Sequence, residues 1–269
     1  VDGVSLTRTA RQETSVRFRH SPQLWSTFPE LVCGVLHADG ITPDADVGAL
    51  LTPHLDTARA RLAGSSEGGF PEIQAWRRVF AATGLAPTRY RCAAESLLRR
   101  LRRDGTLPRL HPLVDLGNAL SVGHAVPVAV LDVDRICGDL EVRHATGDER
   151  YQTFTGETEH AEPGEVIFAD ATGEAHSRRW THRQSGWSAV RPETREVLVV
   201  IEAMHPGAAA DVPRMLATLA DAVARLWPAR PRTALLTAAA PVAEFGPAAP
   251  ASPGGRSAGS PTASAAGPA

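Results

Sequence analysis

The stretch LVDLGNALSVGHAVPVAVLDVDRICGDLEVRH, residues 113–144, decides the fold. It opens as a short helix carrying Asn118, Ser121 and His124. Val126, Val128 and Val130 follow at every second position and stop at Asp132, the period of a strand with one face in a core. A second short strand candidate ends at Arg143. Polar groups fit for chemistry thus stand just before a buried strand. An arginine-rich stretch further on, SRRWTHRQS at 177–185, looks like its counterpart, and the pattern predicts that the two face each other across a cleft.

Upstream of this centre, VRFRH (16–20) and LVCGVLHADGI (31–41) predict strands, with Pro22 and Pro29 punctuating the link between them. Residues 44–64 predict a helix, with Asp44 or Asp46 as its cap and Pro53 as an interruption or kink. Within 70–84, Ile73, Trp76, Val79 and Phe80 recur at helical spacing and Gly84 is the stop. The helix predicted within 86–105 turns Ala94, Leu97, Leu98 and Leu101 inward and projects Arg99, Arg100, Arg102 and Arg103 around its last turn. Two roles fit those arginines: a phosphate-contacting patch, or a solvated face that the helix dipole favours.

Downstream, residues 147–170 predict hairpins, with turns at Gly156 and Pro163-Gly164 and VIFAD as a buried strand. TREVLVVIEAM (194–204) carries the strongest strand signal, and 206–227 reads as an amphipathic helix. Short strands with segregated helices predict an α+β fold, a central mixed or antiparallel sheet with flanking helices. Residues 1–15 read as a flexible arm and 16–227 as one domain. Residues 228–269, mostly Ala, Pro, Gly and Ser, read as a disordered tail.

Composition narrows the function classes. The 269 residues carry 43% hydrophobic and 22% charged side chains, an ordinary globular balance with room for a substantial core. A formal net charge of −2 supplies no global field for nucleic acid, so an RNA partner must be met by a local patch, and DNA is not expected. Every one of the 28 basic residues is Arg, an effect of GC-rich coding that also supplies guanidinium forks suited to phosphate and carboxylate. The three cysteines, Cys33, Cys92 and Cys137, form no CxxC pair, which speaks against a disulfide framework or a zinc ribbon and fits a reducing cytosol. The ten histidines show no metal-ligand spacing, so neither a metal nor another cofactor is expected. No apolar run reaches the roughly 20 residues of a membrane span, and no signal-peptide core opens the chain; a cytoplasmic location is the default.

Seven segments occur in one order: WRRVF (76–80), AESLLRRL (94–101), LPRLHPLVDLGNALS (107–121), VPVAVLDVDRI (126–136), GEVIFAD (164–170), SRRWTHRQS (177–185) and ETREVLVVIE (193–202). Their order resembles the tRNA-binding and editing module of the phenylalanyl-tRNA synthetase β subunit, the B3/B4 domain, and looks closest to its free-standing versions. The resemblance covers residues 16–227 and implies a B3/B4-like fold whose central cleft hydrolyses tRNA carrying the wrong amino acid. This sequence departs from the synthetase pattern at three places and from the free-standing versions at a fourth. Ala129 stands where the synthetase has a His, and Arg178-Arg179-Trp180 where it has a Gly-rich loop. Val200 falls where the synthetase has a Glu, although Glu202 lies on the same strand face. His182 stands where free-standing relatives more often carry an aromatic.

What the resemblance implies is a trans-acting deacylase acting on the acceptor end of a mischarged aminoacyl-tRNA. No GxSxG elbow or Cys-His signature is present, so a positioned water rather than a covalent nucleophile is the expected attacking group. His124, Arg179, His182 and Glu202 are the catalytic candidates. Asn118, Ser121, His176, Arg178, Trp180 and Arg183 are the substrate-binding candidates, with His176, Trp180 and His182 on one strand face by parity. Most of them have a structural alternative. The arginines have salt bridges to the acidic loop at 157–165, Trp180 a place in the core, Glu202 an arginine partner, and Asn118 and Ser121 a turn-forming role. The alternative function is a non-catalytic tRNA- or amino-acid-binding module of the same fold. Oligomeric state is left open.

Overall fold

The strand expected after Ala125 is present in the computed structural model, which describes residues 15–246. The chain runs through β1 (Val16–His20), a short helix α1 (Pro22–Thr27) and β2 (Val32–Asp39). Four helices follow, α2 (Gly48–Gly64), α3 (Pro71–Ala82), α4 (Ala93–Asp104) and α5 (Pro112–His124). Short strands come next: β3 (Val128–Asp132), β4 (Leu140–His144), β5 (Arg150–Gln152), β6 (Thr158–His160), β7 (Val166–Ala169), β8 (Ala175–Arg178) and β9 (Arg183–Gln184). The long strand β10 (Glu196–Ala203) leads into α6 (Ala208–Leu226), and β11 (Arg232–Leu236) and β12 (Val242–Phe245) complete the described chain.

Local signals explain most boundaries. The hydroxyl of Ser21 caps α1 by accepting from the Leu24 amide, and Pro71 occupies the first turn of α3, where its missing N–H costs nothing. Gly105 ends α4 in the left-handed region at φ 71°. Gly156 and Gly164 take positive φ at the two predicted turns. Pro53 does not interrupt α2, which continues to Gly64: the proline sits early in the helix, where it removes a single backbone hydrogen bond.

The strands form a mixed six-stranded sheet, β12-β1-β4-β7-β8-β9, a four-stranded antiparallel sheet, β11-β2-β10-β3, and the β5-β6 hairpin. Only the β1–β4 pair in the large sheet is parallel. The fold is α+β with a mixed sheet, as the sequence predicts. In the four-stranded sheet, alternation divides the side chains between two cores. Leu36, Val130, Val197 and Val199 pack with α5 and α6, and Gly34 lets α6 come so near that an added Cβ would stand 3.0 Å from Val212. The opposite face, with Cys33, Val35, Leu131, Leu198 and Val200, packs with α3, α4 and the large sheet through Trp76, Leu98, Phe18 and Phe168.

The expected disordered tail from 228 needs correction. Residues 232–236 pair with β2 and 242–245 with β1, and Leu236, Ala243 and Phe245 are buried. Composition averaged over the whole segment hides two short alternating runs, RTALL and VAEF, whose order comes from the open strand edges they meet. Residues 247–269 of the tail, and 1–14 of the arm, lie outside the described residues.

Candidate functional site

Two consecutive residues shape the site. Arg179 and Trp180 both take left-handed backbone, at φ 50° and 56°, and reverse the chain between β8 and β9. Such conformations cost of order 1–3 kcal/mol each in a non-glycine residue and persist only where the surroundings over-determine them. Three hydrogen bonds do so here. The Arg179 amide donates to Glu165 Oε1 at 2.8 Å, the Trp180 amide to the Val166 carbonyl at 2.6 Å, and the indole Nε1 to Glu202 Oε1 at 2.9 Å. The Trp180 ring is buried, edge-on to Trp76 and Phe28 at centroid distances of 5.3 and 5.4 Å, so it is a core residue with one polar contact.

Glu202, near the end of β10, is buried and does not meet an arginine. Its Oε1 lies 2.6 Å from His20 Nε2 as well as accepting from Trp180, and both hydrogen bonds go to that oxygen, leaving Oε2 uncommitted. Cys33 is close by. Burial, and then the charge of Glu202, push its thiol well above the ordinary range, so although His20, Cys33 and Glu202 bring donor atoms within 4.8 Å of one another, the trio lacks a ready thiolate.

Beside this group lies a cavity of about 50 Å³, walled by Val128 and Ala129 of β3, Val200 and Glu202 of β10, and His176, Trp180 and Thr181. His176 is 0% exposed, yet neither ring nitrogen has a hydrogen-bond partner; Nε2 stands 3.4 Å from Asp170 Oδ2 without the alignment of a hydrogen bond. The buried Thr181 hydroxyl is also unpartnered. Unpaired buried polar groups are expensive and mark a place where water or a ligand belongs. Arg183, 41% exposed, also lines the cavity; it lies over the Tyr151 ring and 3.5 Å from Glu159. Gln184, another wall residue, donates to the Val130 carbonyl.

Several expected neighbours are elsewhere. The 113–124 helix does not face the 177–185 loop, because β3 intervenes: Val130 points toward α5, while Ala129 and Leu131 line the cavity on the other side of the sheet. Asn118 is half-buried on α5, Ser121 is fully buried with its hydroxyl unpartnered, and His124 opens into a separate cleft between α2 and α6. Burial, then the neighbouring His54, hold the His124 pKa below its usual value. His182 is not on the cavity side. The left-handed pair breaks the parity linking it to His176 and Trp180, and its Nδ1 lies 2.7 Å from the Arg91 carbonyl, with the ring edge-on to Tyr90. Burial lowers its pKa.

Arg178 is a structural cation, 4% exposed. It grips both oxygens of Glu165, at 3.0 and 2.8 Å, and Glu159 at 2.8 Å, the acidic loop that the sequence offered as its alternative partner. Arg179 lies 4.7 Å over the Tyr90 ring and lines a second cavity, about 260 Å³, on the other side of Trp180. At the end of α4, Arg99 and Arg102 contact Glu67 while Arg100 and Arg103 contact Asp104, each guanidinium staying about half exposed or more. Four cations on two carboxylates leave the patch positive. Sequence reasoning missed His20, Thr181 and Gln184; His20 lies in a predicted strand, and only its position relative to Glu202 gives it a role.

Residues 75–244 match the family model described as the B3/4 domain. Over 74 residues, 28% of this chain, the sequence is 35% identical to part of the phenylalanine–tRNA ligase beta subunit of Cereibacter sphaeroides, a match covering 9% of that protein. Comparison with an N-terminal fragment of the phenylalanyl-tRNA synthetase beta subunit from Pyrococcus horikoshii gives a TM-score of 0.45 at 11% identity, covering 81% of this chain and 50% of that one. The chain thus spans half or less of the length of either protein.

Proposed function

The chain belongs to the B3/4 domain family, and from that premise we propose that it is a free-standing hydrolase of the ester bond in mischarged aminoacyl-tRNA. One observation carries the reading: a small cavity lined by His176, whose Nδ1 has no hydrogen-bond partner, and by Thr181, whose hydroxyl has none, beside Glu202, whose Oε1 is fixed by two donors. Its volume gives room for a few waters.

The aminoacyl ester is an activated one, so positioning and electrostatics suffice. A water held against Glu202 Oε2 attacks the carbonyl carbon and gives its proton to the carboxylate. The oxyanion takes a hydrogen bond from His176 or Thr181. Collapse breaks the bond to the ribose oxygen, which leaves with a proton, releasing free amino acid and tRNA. His20 and Trp180 keep the carboxylate from rotating away, and Arg178 and Glu165 act one step back by holding the turn that places Trp180. The α4 arginines are the proposed contact for acceptor-stem phosphates. Among the described residues no helix is long and apolar enough to cross a membrane.

A second reading, a tRNA-binding module without catalysis, is favoured by one feature. Val200 and Ala129 are direct cross-strand partners on the cavity wall, so two of the positions that depart from the synthetase pattern present only apolar groups together. Amino acid release from a panel of labelled aminoacyl-tRNAs separates the two. The deacylase reading requires turnover of at least one substrate, reduced about a hundredfold or more by Glu202→Gln and by His176→Phe. Retention of every ester alongside saturable tRNA binding would establish the module instead.

A further inference from the structure

A second group of chemically capable residues lies outside the proposed active site. Glu72 in the first turn of α3, His205 just before α6 and Asp211 in the first turn of α6 bring one carboxylate oxygen, one imidazole nitrogen and another carboxylate oxygen within 4.8 Å of one another. His54 from α2 and His124 from the end of α5 line the same cleft of about 310 Å³, with ring centroids 6.2 Å apart. We infer that this cleft binds a divalent first-row transition-metal ion through His205, Asp211 and Glu72, with His54 or His124 able to complete the coordination.

The partners of each ligand support the assignment. His205 is buried and lies with Nε2 2.8 Å from Asp211 Oδ2, so the ion would take the place of the hydrogen they share. Ligand atoms on one tetrahedral zinc lie about 3.4 Å apart, which small side-chain rotations reach from the present spacing. Arg214 grips Asp211 through Oδ1, and Arg61 Nη2 holds Glu72 Oε2 at 2.7 Å. Each arginine thus takes one oxygen and leaves the other, as outer partners of ligating carboxylates do. Both arginines also balance the carboxylates, so without metal the cleft is not strongly repulsive. His54 and His124 bring two imidazoles to the cleft, and together the cluster offers the mixed nitrogen and oxygen donors that suit zinc, cobalt or iron better than calcium or magnesium. Sequence spacing gave no sign of the set because its members come from four helices and the turn before one of them.

The test is titration of the full chain with Zn²⁺ against a chromogenic chelator, and with Co²⁺ followed by its visible d–d absorption. One equivalent should bind with micromolar or tighter affinity, and the cobalt spectrum should have the intensity of a four- or five-coordinate site. His205→Ala should weaken binding at least tenfold. Glu72→Gln, on a partly exposed side chain, gives the same test if the buried substitution perturbs folding. The inference is overturned by the absence of saturable binding, by affinity unchanged in Glu72→Gln and His124→Ala alike, or by binding that only Cys33→Ala abolishes, which would place the ion at His20, Cys33 and Glu202. Metal binding does not depend on deacylation, so either proposal stands if the other fails.

Discussion

Replacing Arg178 by Ala should destabilise the protein rather than weaken its grip on RNA. The guanidinium is 4% exposed and spends its donors on Glu165 and Glu159. Removing one member of a buried pair and stranding the other costs about 3–5 kcal/mol. Glu165 would keep the Arg179 amide at 2.8 Å and the Glu162 amide at 3.3 Å, so the loss should fall near the low end, about 3 kcal/mol. For a domain of this size that corresponds to a fall in Tm of about 6–12 °C. Acidity should narrow the deficit. Burial works to raise the Glu165 pKa, but the hydrogen bonds and charge of Arg178 outweigh it and hold it below the ordinary 4.5. The wild type therefore draws stability from this carboxylate above that value and loses it as pH falls through the lowered one. In the variant burial dominates, and protonating Glu165 relieves it. Thermal and urea melts at pH 7 and pH 4, with filter binding of tRNA, measure both effects. Arg178→Met combined with Glu165→Gln should recover part of the loss, since the amide still accepts from Arg179. An unchanged Tm with tenfold weaker tRNA binding would refute this reasoning and return Arg178 to substrate binding.

Other outcomes follow from the same geometry. A chain ending at residue 229 lacks β11 and β12, exposes surface under Leu236 and Phe245, and should melt about 10 °C or more below the full chain; equal Tm values would count against both ladders. A thiol reagent should modify Cys137 quickly and spare native Cys33 and Cys92, both buried, the latter with its pKa pushed by burial to about 12; rapid modification of more than one thiol would contradict this. Glu149 has its pKa lowered from 4.5 to about 2; burial opposes the shift, and the Thr146 amide, Arg143 and the Gly147 amide together overcome it. Its contribution to stability should be intact above 4.5 and fade as pH falls toward 2, so Glu149→Gln should flatten the acid limb of the stability profile.

The helices and the long strand were legible because their evidence is local. Ile73, Trp76, Val79 and Phe80 repeat at helical spacing and are all buried, and the aliphatic run of β10 is a central strand. The site was legible only in its members. His176, Trp180 and Glu202 do meet, but the partner of Glu202 is His20, 182 residues away, and no spacing rule reaches that far. An arginine reads alike whether it faces phosphate or a buried glutamate, which is why Arg178 and Arg179 could not be sorted by sequence. The expected facing of 113–124 and 177–185 failed for a geometric reason: the strand that joins them in the reading separates them in space. The parity argument for His182 failed because two left-handed residues reset the alternation.

The placement of β2 also bears on how the protein is made. Its two ladder partners, β10 and β11, both come from the last third of the chain, and β10 begins about 160 residues after β2 ends. At 5–20 residues per second of synthesis, roughly 8–30 s pass before the first partner is available. Through that interval VCGVLHAD, apolar on both faces, stands with two unpaired edges, a target for chaperones and a seed for aggregation. Folding on the ribosome is therefore a late event, and termination before β10 emerges releases a chain whose β2, buried along most of its length in the finished fold, has nothing to pair with.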